Sequence, residues 1–448
     1  MRTPTNLNGN ADHADPGGRG GFAADGMPGA VDVVVIGAGI VGAASAYQLA
    51  KRGLTVALVD KGQVAGEQSS RNWGFVRQQG RDPVELPLAS AASAMWGGLS
   101  AELEADIEWR RGGNLALARD EATARRYEEW LSVSRDAGIE SELLDREKVS
   151  ELLPGIEGKW LAAMYTKSDG QADPMKATMA FVNAGKRLGV HVITRCTVTS
   201  IDVGGGRVLG VRTSGGYIRA GRVVLAGGVW SHRLLSELGL LLPQRVVRQT
   251  VVRTTPVPHF TSVGVWAADL LSFRQAVDGS LILSLGGVSD VCWGLGSRHH
   301  ALKFTPAYLM NRSKFRISVG GLTSDAARDF RASRSYEFAS SAPITRDVWQ
   351  CLERMRAWFP ELQRFGIDDA WSGYIDGTPD ALPVIEAVGS PEGLVVATGF
   401  SGHGFALGPI VGQIVGELLD DGHTQFDIEH MSLARFSTTS HGKVKRMI

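Results

Sequence analysis

Long apolar runs are absent from the sequence, so no segment reaches the length of a membrane-spanning helix. Cysteine is scarce. Cys196, Cys292 and Cys351 lie far apart and offer neither a disulfide framework nor a metal cluster. Net charge is also missing, because 47 Lys and Arg residues balance 47 Asp and Glu residues. That balance argues against a nucleic-acid partner and a polybasic membrane surface. We therefore expect a cytoplasmic protein without membrane insertion.

The two ends of the chain also lack the apolar patterns that are typical of folded segments. Residues 1–30 are polar and have no apolar segment of the kind found in signal peptides, so we predict a disordered tail there, and a second tail at 431–448. The adjacent His299 and His300 have no Cys, Asp or Glu at ligand spacing, so we expect no metal site. With 448 residues, two domains are the default expectation.

The strongest local signal is the stretch from residue 31 to 60. An apolar β-branched run is followed by Gly37, Gly39 and Gly42 in the G-x-G-x-x-G spacing, and then by a helical segment and a second strand. The glycines permit a tight turn, close approach of a pyrophosphate, and close packing of helix on strand. Asp60 ends the second strand, at the spacing where an acid accepts hydrogen bonds from a ribose. Together these features predict a dinucleotide site.

The loop after Asp60 is rich in glycine, arginine and tryptophan. Its arginines are Arg71, Arg77 and Arg81. Such a mixture could frame an anionic or aromatic ligand, and a surface loop with solvated arginines is the alternative. Its position directly after the second strand favours the ligand.

Two later segments again combine an apolar strand with a following run of small residues. Residues 222–231 predict a buried strand that runs into small residues, and 393–405 predict a strand, a glycine-rich loop and the start of a helix. Gly408, Gly412 and Gly416 would leave one face of that helix bare, for close packing on a sheet or a cofactor. Between them, residues 244–360 alternate as β-strands, with helical segments near 305–318 and 344–358.

These patterns predict an α/β protein of two parts. A discontinuous Rossmann-like domain comprises residues 31–112, 172–243 and 372–430. An α+β substrate domain built on an antiparallel sheet comprises residues 113–171 and 244–371.

Three motifs in this order carry a family resemblance: Val33-Val-Val-Ile-Gly-Ala-Gly-Ile-Val-Gly42, Ala226-Gly-Gly-Val-Trp-Ser231 and Gly399-Phe-Ser-Gly-His-Gly-Phe405. Over about residues 31–430 the chain resembles the FAD-dependent amine and amino-acid oxidoreductases of the D-amino-acid oxidase, glycine oxidase and sarcosine oxidase (DAO) family. The resemblance implies that the discontinuous domain binds FAD. It also implies the following cofactor contacts: Gly37, Gly39, Ile40, Val41, Gly42, Asp60, Lys61, Ser69, Ser70, Arg71, Asn72, Trp73, Gly74, Val198, Ala226, Gly227, Trp230, Gly377, Gly402, His403, Gly404 and Phe405.

The resemblance further implies the reaction. An amino acid or secondary amine would lose a hydride to flavin N5, and the resulting imine would hydrolyse in water. Arg77 would hold the substrate carboxylate, with Arg81 as its rival, and His403 would bear on the flavin charge or only cap and pack. Oxygen or another acceptor would re-oxidise the flavin. Two alternatives are a flavin-dependent 2-hydroxy-acid dehydrogenase and a flavoprotein subunit of a multi-subunit opine- or sarcosine-type enzyme. Either a homo-oligomer or a partner subunit is compatible with the family.

The chain departs from the sarcosine oxidases that tether their flavin. Those enzymes have a cysteine near the position of Gly373, a lysine at Ala406, and paired histidines at Gln68 and Ser69. We therefore predict non-covalent FAD and an enzyme other than sarcosine oxidase itself.

Overall fold

The fold is built on two large sheets that share one cavity. The computed structural model describes residues 27–267, 270–286, 289–293, 301–310, 315–319, 342–362 and 364–437. Strands and helices are numbered in chain order below. The prediction of an α/β protein with a discontinuous Rossmann-like domain is confirmed by the first sheet, and the antiparallel substrate domain by the second.

The first sheet has six strands drawn from distant parts of the chain. In spatial order they are β20 (Val384–Ala387), β21 (Leu394–Thr398), β12 (Arg222–Leu225), β1 (Val33–Ile36), β2 (Val56–Val59) and β8 (His191–Ile193). All neighbours are parallel except β20 and β21. The strands β1, β2 and β12 are buried on both faces, which is why they are continuous apolar runs rather than alternating ones.

Some of the helices cover this sheet, and others belong to the second domain. Their bounds are α1 (Ile40–Lys51), α2 (Gln68–Arg71), α3 (Leu86–Trp96), α4 (Leu99–Glu102), α5 (Glu121–Asp136), α6 (Arg146–Leu152), α7 (Pro174–Arg187), α8 (Ser231–Glu237), α9 (Ala301–Met310), α10 (Thr345–Trp358) and α11 (Gly404–Asp420). Asp173 before Pro174 predicts the start of a helix, and the cap of α7 is present, because the Asp173 carboxylate accepts a hydrogen bond from the Lys176 amide at 2.8 Å.

The second sheet has ten strands: β4 (Asn114–Ala118), β5 (Ser141–Leu144), β6 (Ala162–Thr166), β13 (Arg245–Thr254), β14 (Gly264–Trp266), β15 (Ser272–Gln275), β16 (Leu281–Ser284), β17 (Ser289–Trp293), β18 (Phe315–Val319) and β19 (Ile367–Gly377). Its longest ladder joins β13 to β19 in antiparallel register, from Arg245 opposite Gly377 to Thr254 opposite Ile367. Most strand pairs in this sheet are antiparallel. After β19 ends at Gly377, the chain returns to the first sheet through β20.

Smaller sheets complete the architecture. A three-stranded sheet contains β9 (Val198–Gly204), β10 (Arg207–Thr213) and β11 (Gly216–Arg219), and a short pair joins β3 (Phe75–Val76) to β7 (Gly170–Gln171). Residues 27–30 join the three-stranded sheet, since the Arg219 amide donates to the Gly29 carbonyl. Near the other end, Met431 and Phe436 are buried. The domain bounds themselves stay a prediction.

Three sequence-based expectations differ from the structure. The helix expected near 305–318 ends at Met310, and residues 315–319 form β18, because pairing with β17 overrides local helical propensity. Residues 190–201, whose sequence is strand-like and predicts a single strand, are divided between two sheets, as β8 and β9. Residues 83–108 have apolar residues at three- and four-residue steps, which predict one helix, but they form α3 and α4, separated at the Gly97–Gly98 pair. His299 and His300 lie outside the described residues. Within the described ranges, no helix combines the length and apolarity needed to cross a bilayer.

Candidate active site

A cavity of about 1260 Å³ lies where the two sheets meet. The glycine turn after β1 and the ends of β2 and β12 line it from the first domain, while β13, β19 and α9 line it from the second. This volume exceeds the range of roughly 300–1,000 Å³ that is typical of small-molecule sites in proteins. The cavity therefore joins the predicted cofactor residues to the predicted substrate residues.

The glycine turn has the steric properties that its spacing predicts. Gly37 has φ +102°, and a Cβ there would lie 2.4 Å from the Ala226 carbonyl oxygen. A Cβ at Gly42 would lie 1.9 Å from the Gly37 carbonyl oxygen. Gly39 is the N-cap of α1 and supplies no side-chain cap, and the N–H groups of Val41 and Gly42 have no hydrogen-bond partner in the described part of the chain. Unpaired N–H groups at a helix start are suited to binding an anion.

Asp60 lies at the end of β2 and braces this turn. One carboxylate oxygen accepts a hydrogen bond from the Ala38 amide and the other from the Gly62 amide, each at 2.7 Å. Burial raises the pKa of Asp60, and these two amide bonds oppose that shift. A carboxylate has about four acceptor positions. Asp60 therefore keeps capacity for two further donors from a ligand in the cavity.

Lys61 and Trp230 close the cavity beside Asp60. The Lys61 ammonium lies over the Trp230 ring at 4.8 Å and forms an ion pair with Glu67. The Trp230 indole N–H donates to the same carboxylate at 2.8 Å. This bracket connects the loop after β2 to the end of β12, two segments that are far apart in sequence.

The loop over α2 is held by its own polar side chains. The Ser69 hydroxyl accepts from the Ile40 amide at 2.9 Å, and the Asn72 side chain donates to the Ser69 carbonyl at 2.7 Å. The Gln68 amide nitrogen donates to Asp376 at 3.1 Å. Asp376 is buried at the end of β19, and burial raises its pKa to about 6. The loop is thus fixed to the second sheet at the cavity wall.

Arg77 and Arg81, the two candidates for holding a substrate carboxylate, both line the cavity. The Arg77 guanidinium lies over the Trp266 ring at 4.8 Å and donates to the Gln79 carbonyl at 3.2 Å. Within the described residues it forms no ion pair, although the charges of Asp169 and Glu85 act on it from farther away. Burial, and then the charge of Arg81, lower the pKa of Arg77 to about 9, which leaves it protonated near neutral pH. Arg81 is more enclosed, and its Nε donates to the Arg77 carbonyl at 3.3 Å.

His403 does not stand alone in the glycine-rich loop before α11. Its Nδ1 lies 2.9 Å from both carboxylate oxygens of Glu85, which is fully buried just before α3. The interaction with His403, and then the charges of Arg81 and Arg77, lower the pKa of Glu85, although burial opposes that shift. Burial lowers the pKa of His403, and the charge of Arg81 adds to that effect. The pair connects two helix starts across the cavity wall.

Most of the residues that the resemblance implicates line this cavity. Three do not. Gly42 faces the turn itself, Ser70 bonds to the Glu67 carbonyl at 3.4 Å, and Gly74 packs against the backbone of Ala172. The residues that reach the lining are Gly37, Gly39, Ile40, Val41, Asp60, Lys61, Ser69, Arg71, Asn72, Trp73, Arg77, Arg81, Val198, Ala226, Gly227, Trp230, Gly377, Gly402, His403, Gly404 and Phe405.

Several residues that line the cavity are not predicted as site residues by the sequence, among them Glu85, Gln68 and Trp266. Phe304 and Tyr308 of α9 also reach the cavity. None of these residues lies in a spacing pattern, because their partners come from other parts of the chain. Among the arginines of β13, Arg245 lines the cavity, and Arg253 is paired with Asp278 and Asp368.

Comparison with known proteins agrees with this geometry. The family described as FAD dependent oxidoreductase (DAO) matches residues 32–418. Glycine oxidase of Geobacillus kaustophilus (strain HTA426) is 28% identical, and the alignment covers 92% of this chain and 98% of that protein. Sarcosine oxidase subunit beta of an Arthrobacter species is 27% identical, over 91% of each chain. Longer relatives match as well, and the chain spans 46% of the length of one of them.

A solved structure gives the same result in three dimensions. L-amino acid deaminase from Proteus myxofaciens, in complex with anthranilate, superposes with a TM-score of 0.85 at 27% identity. The match covers 92% of this chain and 95% of that chain. The family match spans well over half of the sequence, and the cavity has the glycine turn that a dinucleotide needs. The chain therefore belongs to the DAO family of FAD dependent oxidoreductases, whose members named here act on CH–NH donors.

Proposed function

We propose that the protein oxidises the C–N bond of an amino acid or secondary amine that carries a carboxylate. The observation that supports this substrate class is the Arg77 guanidinium. It lines the same cavity as the glycine turn and has no ion pair among the described residues. The charges of Asp169 and Glu85 act on Arg77 without forming an ion pair with it, so its guanidinium keeps hydrogen-bond donors for a bound carboxylate.

The residues at the other end of the cavity fit FAD. The unpaired N–H groups of Val41 and Gly42 suit the pyrophosphate, and Asp60 has acceptor positions left for ribose hydroxyls. There is no room for a side chain at Gly39, because a Cβ there would lie 2.8 Å from Ser69 Oγ. A glycine at this position lets a pyrophosphate approach the backbone closely. When bound, FAD supplies a two-electron acceptor, which the side chains of the protein do not.

The chain's own contribution is orientation and electrostatics. Arg77, supported by the face of Trp266, would hold the carboxylate and so fix the position of the C–H bond next to nitrogen. The start of α11 would present its positive end to negative charge in the cavity. The aromatic walls at Trp73, Phe75 and Trp266 would exclude water from this end.

The likeness to a sarcosine oxidase subunit beta supports a second arrangement, in which this chain works with a partner subunit. Its mark is bound FAD that substrates fail to bleach until a second chain is added. The proposal includes re-oxidation of the flavin by oxygen or another electron acceptor. It also includes a cytoplasmic location.

The proposed function is tested with Arg77→Met in the FAD-loaded protein. Substrates are offered anaerobically as pairs, each amino acid beside the amine that lacks its carboxylate, and 2-hydroxy acids are included. Loss of a charged contact in a dry site costs about 2–5 kcal/mol. We therefore expect KM for carboxylated substrates to rise about 30-fold or more, with little change for simple amines. FAD content should stay at the wild-type level.

Two matched variants complete the test. Arg81→Met examines the rival arginine, and Arg125→Met, on the exposed face of α5, controls for loss of an arginine elsewhere. Wild-type kinetics in both Arg77→Met and Arg81→Met would place the anchor on another arginine, with Arg245 next to be tested. Bleaching by 2-hydroxy acids alone would replace the proposed C–N chemistry by oxidation of C–OH bonds.

A further inference from the structure

The pair formed by the fully buried Glu85 and the partly exposed His403 has no role in the function proposed so far. Glu85 is the N-cap residue of α3 and His403 that of α11, yet neither side chain caps its own helix. Instead the two side chains bind each other across 318 positions of sequence, with Nδ1 2.9 Å from each carboxylate oxygen. A fully buried carboxylate is costly unless it is paired and hydrogen-bonded. The pair is therefore a specific arrangement rather than a surface contact.

The charges around the pair determine where its proton lies. The charged groups that act on His403 are Glu85, Arg81 and Arg77. Burial and the two guanidiniums lower the pKa of His403 and so favour a neutral ring, while the hydrogen bond from His403 and the charges of Arg81 and Arg77 lower the pKa of Glu85 and keep it ionised. A neutral imidazole beside an ionised carboxylate donates its single N–H to it. The proton of His403 is accordingly assigned to Nδ1.

This assignment leaves Nε2 as an acceptor. Nε2 has no hydrogen-bond partner within the described ranges, and His403 lines the cavity beside Gly402, Gly404 and Phe405. The start of α11 is at the same place, and its positive end attracts negative charge. An unprotonated ring nitrogen thus lies at the wall where the cavity favours anions.

We propose that Glu85 is a positioning residue that holds His403 with its proton on Nδ1, so that Nε2 takes up one proton when negative charge enters this end of the cavity. The proton comes from solvent, an Nε2–H bond forms, and no electrons move to the protein. The ring then carries one positive charge, held between Glu85 and the new negative charge. The inference rests on the proposed function, because it assigns the negative charge to FAD that has received two electrons.

The first measurement needs no cofactor. The ¹⁵N NMR shifts of histidine distinguish a protonated from an unprotonated ring nitrogen, and His403→Gln identifies the signals of this residue among the ten histidines. We expect a protonated Nδ1 and an unprotonated Nε2 in the FAD-free wild-type protein at neutral pH. A protonated Nε2 would overturn the inference, whatever the activity of the enzyme.

The second measurement counts protons in the FAD-loaded protein. The pH dependence of the reduction potential of bound FAD gives the number of protons bound per two electrons. We expect Glu85→Gln to bind one proton fewer than wild type, because Arg81 and Arg77 then act on His403 without opposition. His403→Gln should lose the same proton, and Glu85→Asp, which keeps the charge, should regain it.

The control is Glu102→Gln, which removes a carboxylate that pairs with Lys51 away from the cavity. It should keep the wild-type proton count. Equal counts in wild type, Glu85→Gln and His403→Gln would refute the inference while leaving the proposed function intact. If Glu85→Gln does not fold, the NMR result and His403→Gln still decide. Absence of FAD binding, by contrast, would refute the proposed function itself.

Discussion

The glycine face of α11 allows a sharp test of how the nucleotide end of the cavity is built. The spacing of Gly408, Gly412 and Gly416 suggested close packing on a sheet or a cofactor, but the three glycines contact neither a sheet nor the cavity. They pack against α1, the helix that follows the glycine turn. A Cβ at Gly412 would lie 2.7–2.8 Å from the carbonyl carbon, the carbonyl oxygen and the Cβ of Ala44. None of these atoms can rotate away, so α1 and α11 would have to separate.

Gly416, one turn later, provides a matched control. A Cβ there would lie 2.8 Å from Nε of Arg52, which is near the end of a flexible side chain. Both Gly→Ala changes gain about 1 kcal/mol of helix propensity. Overpacking at Gly412 costs about 1–3 kcal/mol, and that cost is nearly absent at Gly416. Because the propensity gain cancels, we expect Gly412→Ala to be less stable than Gly416→Ala by about 1–3 kcal/mol.

The assay is denaturant unfolding of the FAD-free protein, with the free energy of unfolding taken by linear extrapolation, together with FAD titration. Gly412→Ala should also weaken FAD binding, because a displaced α1 moves the N–H groups of Val41 and Gly42. Gly416→Ala should bind FAD as wild type does. Equal stability of the two variants, or higher stability of Gly412→Ala, would refute the reasoning that α1 and α11 are in rigid contact at Ala44.

The remaining predictions concern the cofactor and the buried acids. Asp60→Ala should weaken FAD binding about 10- to 100-fold, since hydrogen bonds to a charged group contribute about 1.5–3 kcal/mol. Unchanged affinity in titration of the FAD-free protein would argue against the ribose assignment. Acid precipitation should release the yellow colour, and a yellow pellet would show a covalent link. Asp376 has a folded-state pKa of about 6, above its ordinary 3.8. Its burial therefore lowers the free energy of unfolding as pH rises from about 4 to 6, by up to about 3 kcal/mol. In Asp376→Asn this decline should be absent from urea unfolding curves measured at pH 4.5 and 7, and an unchanged decline would assign it to other acids.

The elements that the sequence predicts well are those whose determinants are local. The turn at Gly37 and Gly42 follows from a steric requirement within a few residues, and Asp173 caps α7 through an amide three positions away. The buried strands β1 and β2 are recognisable because both of their faces are apolar. The α/β class, the FAD family and the involvement of the loop after Asp60 could be predicted for the same reason.

Elements that depend on distant partners were predicted less well. Residues 315–319 form a strand because β17 lies beside them, although their local pattern favours a helix. The stretch 190–201 divides because its two halves pair with different sheets. In both places pairing across the sheet contributes more than the intrinsic preference of a short segment.

The sequence by itself determined that a nucleotide turn begins the chain's first domain and that arginines follow it. Only the tertiary structure decided which charges meet. Glu85 binds His403 rather than Arg77, Trp266 supports Arg77, and Gly412 contacts α1. The physical reason is that burial makes each charge or close approach depend on its neighbours in space. Those neighbours come from segments up to several hundred residues away, and no spacing pattern records them.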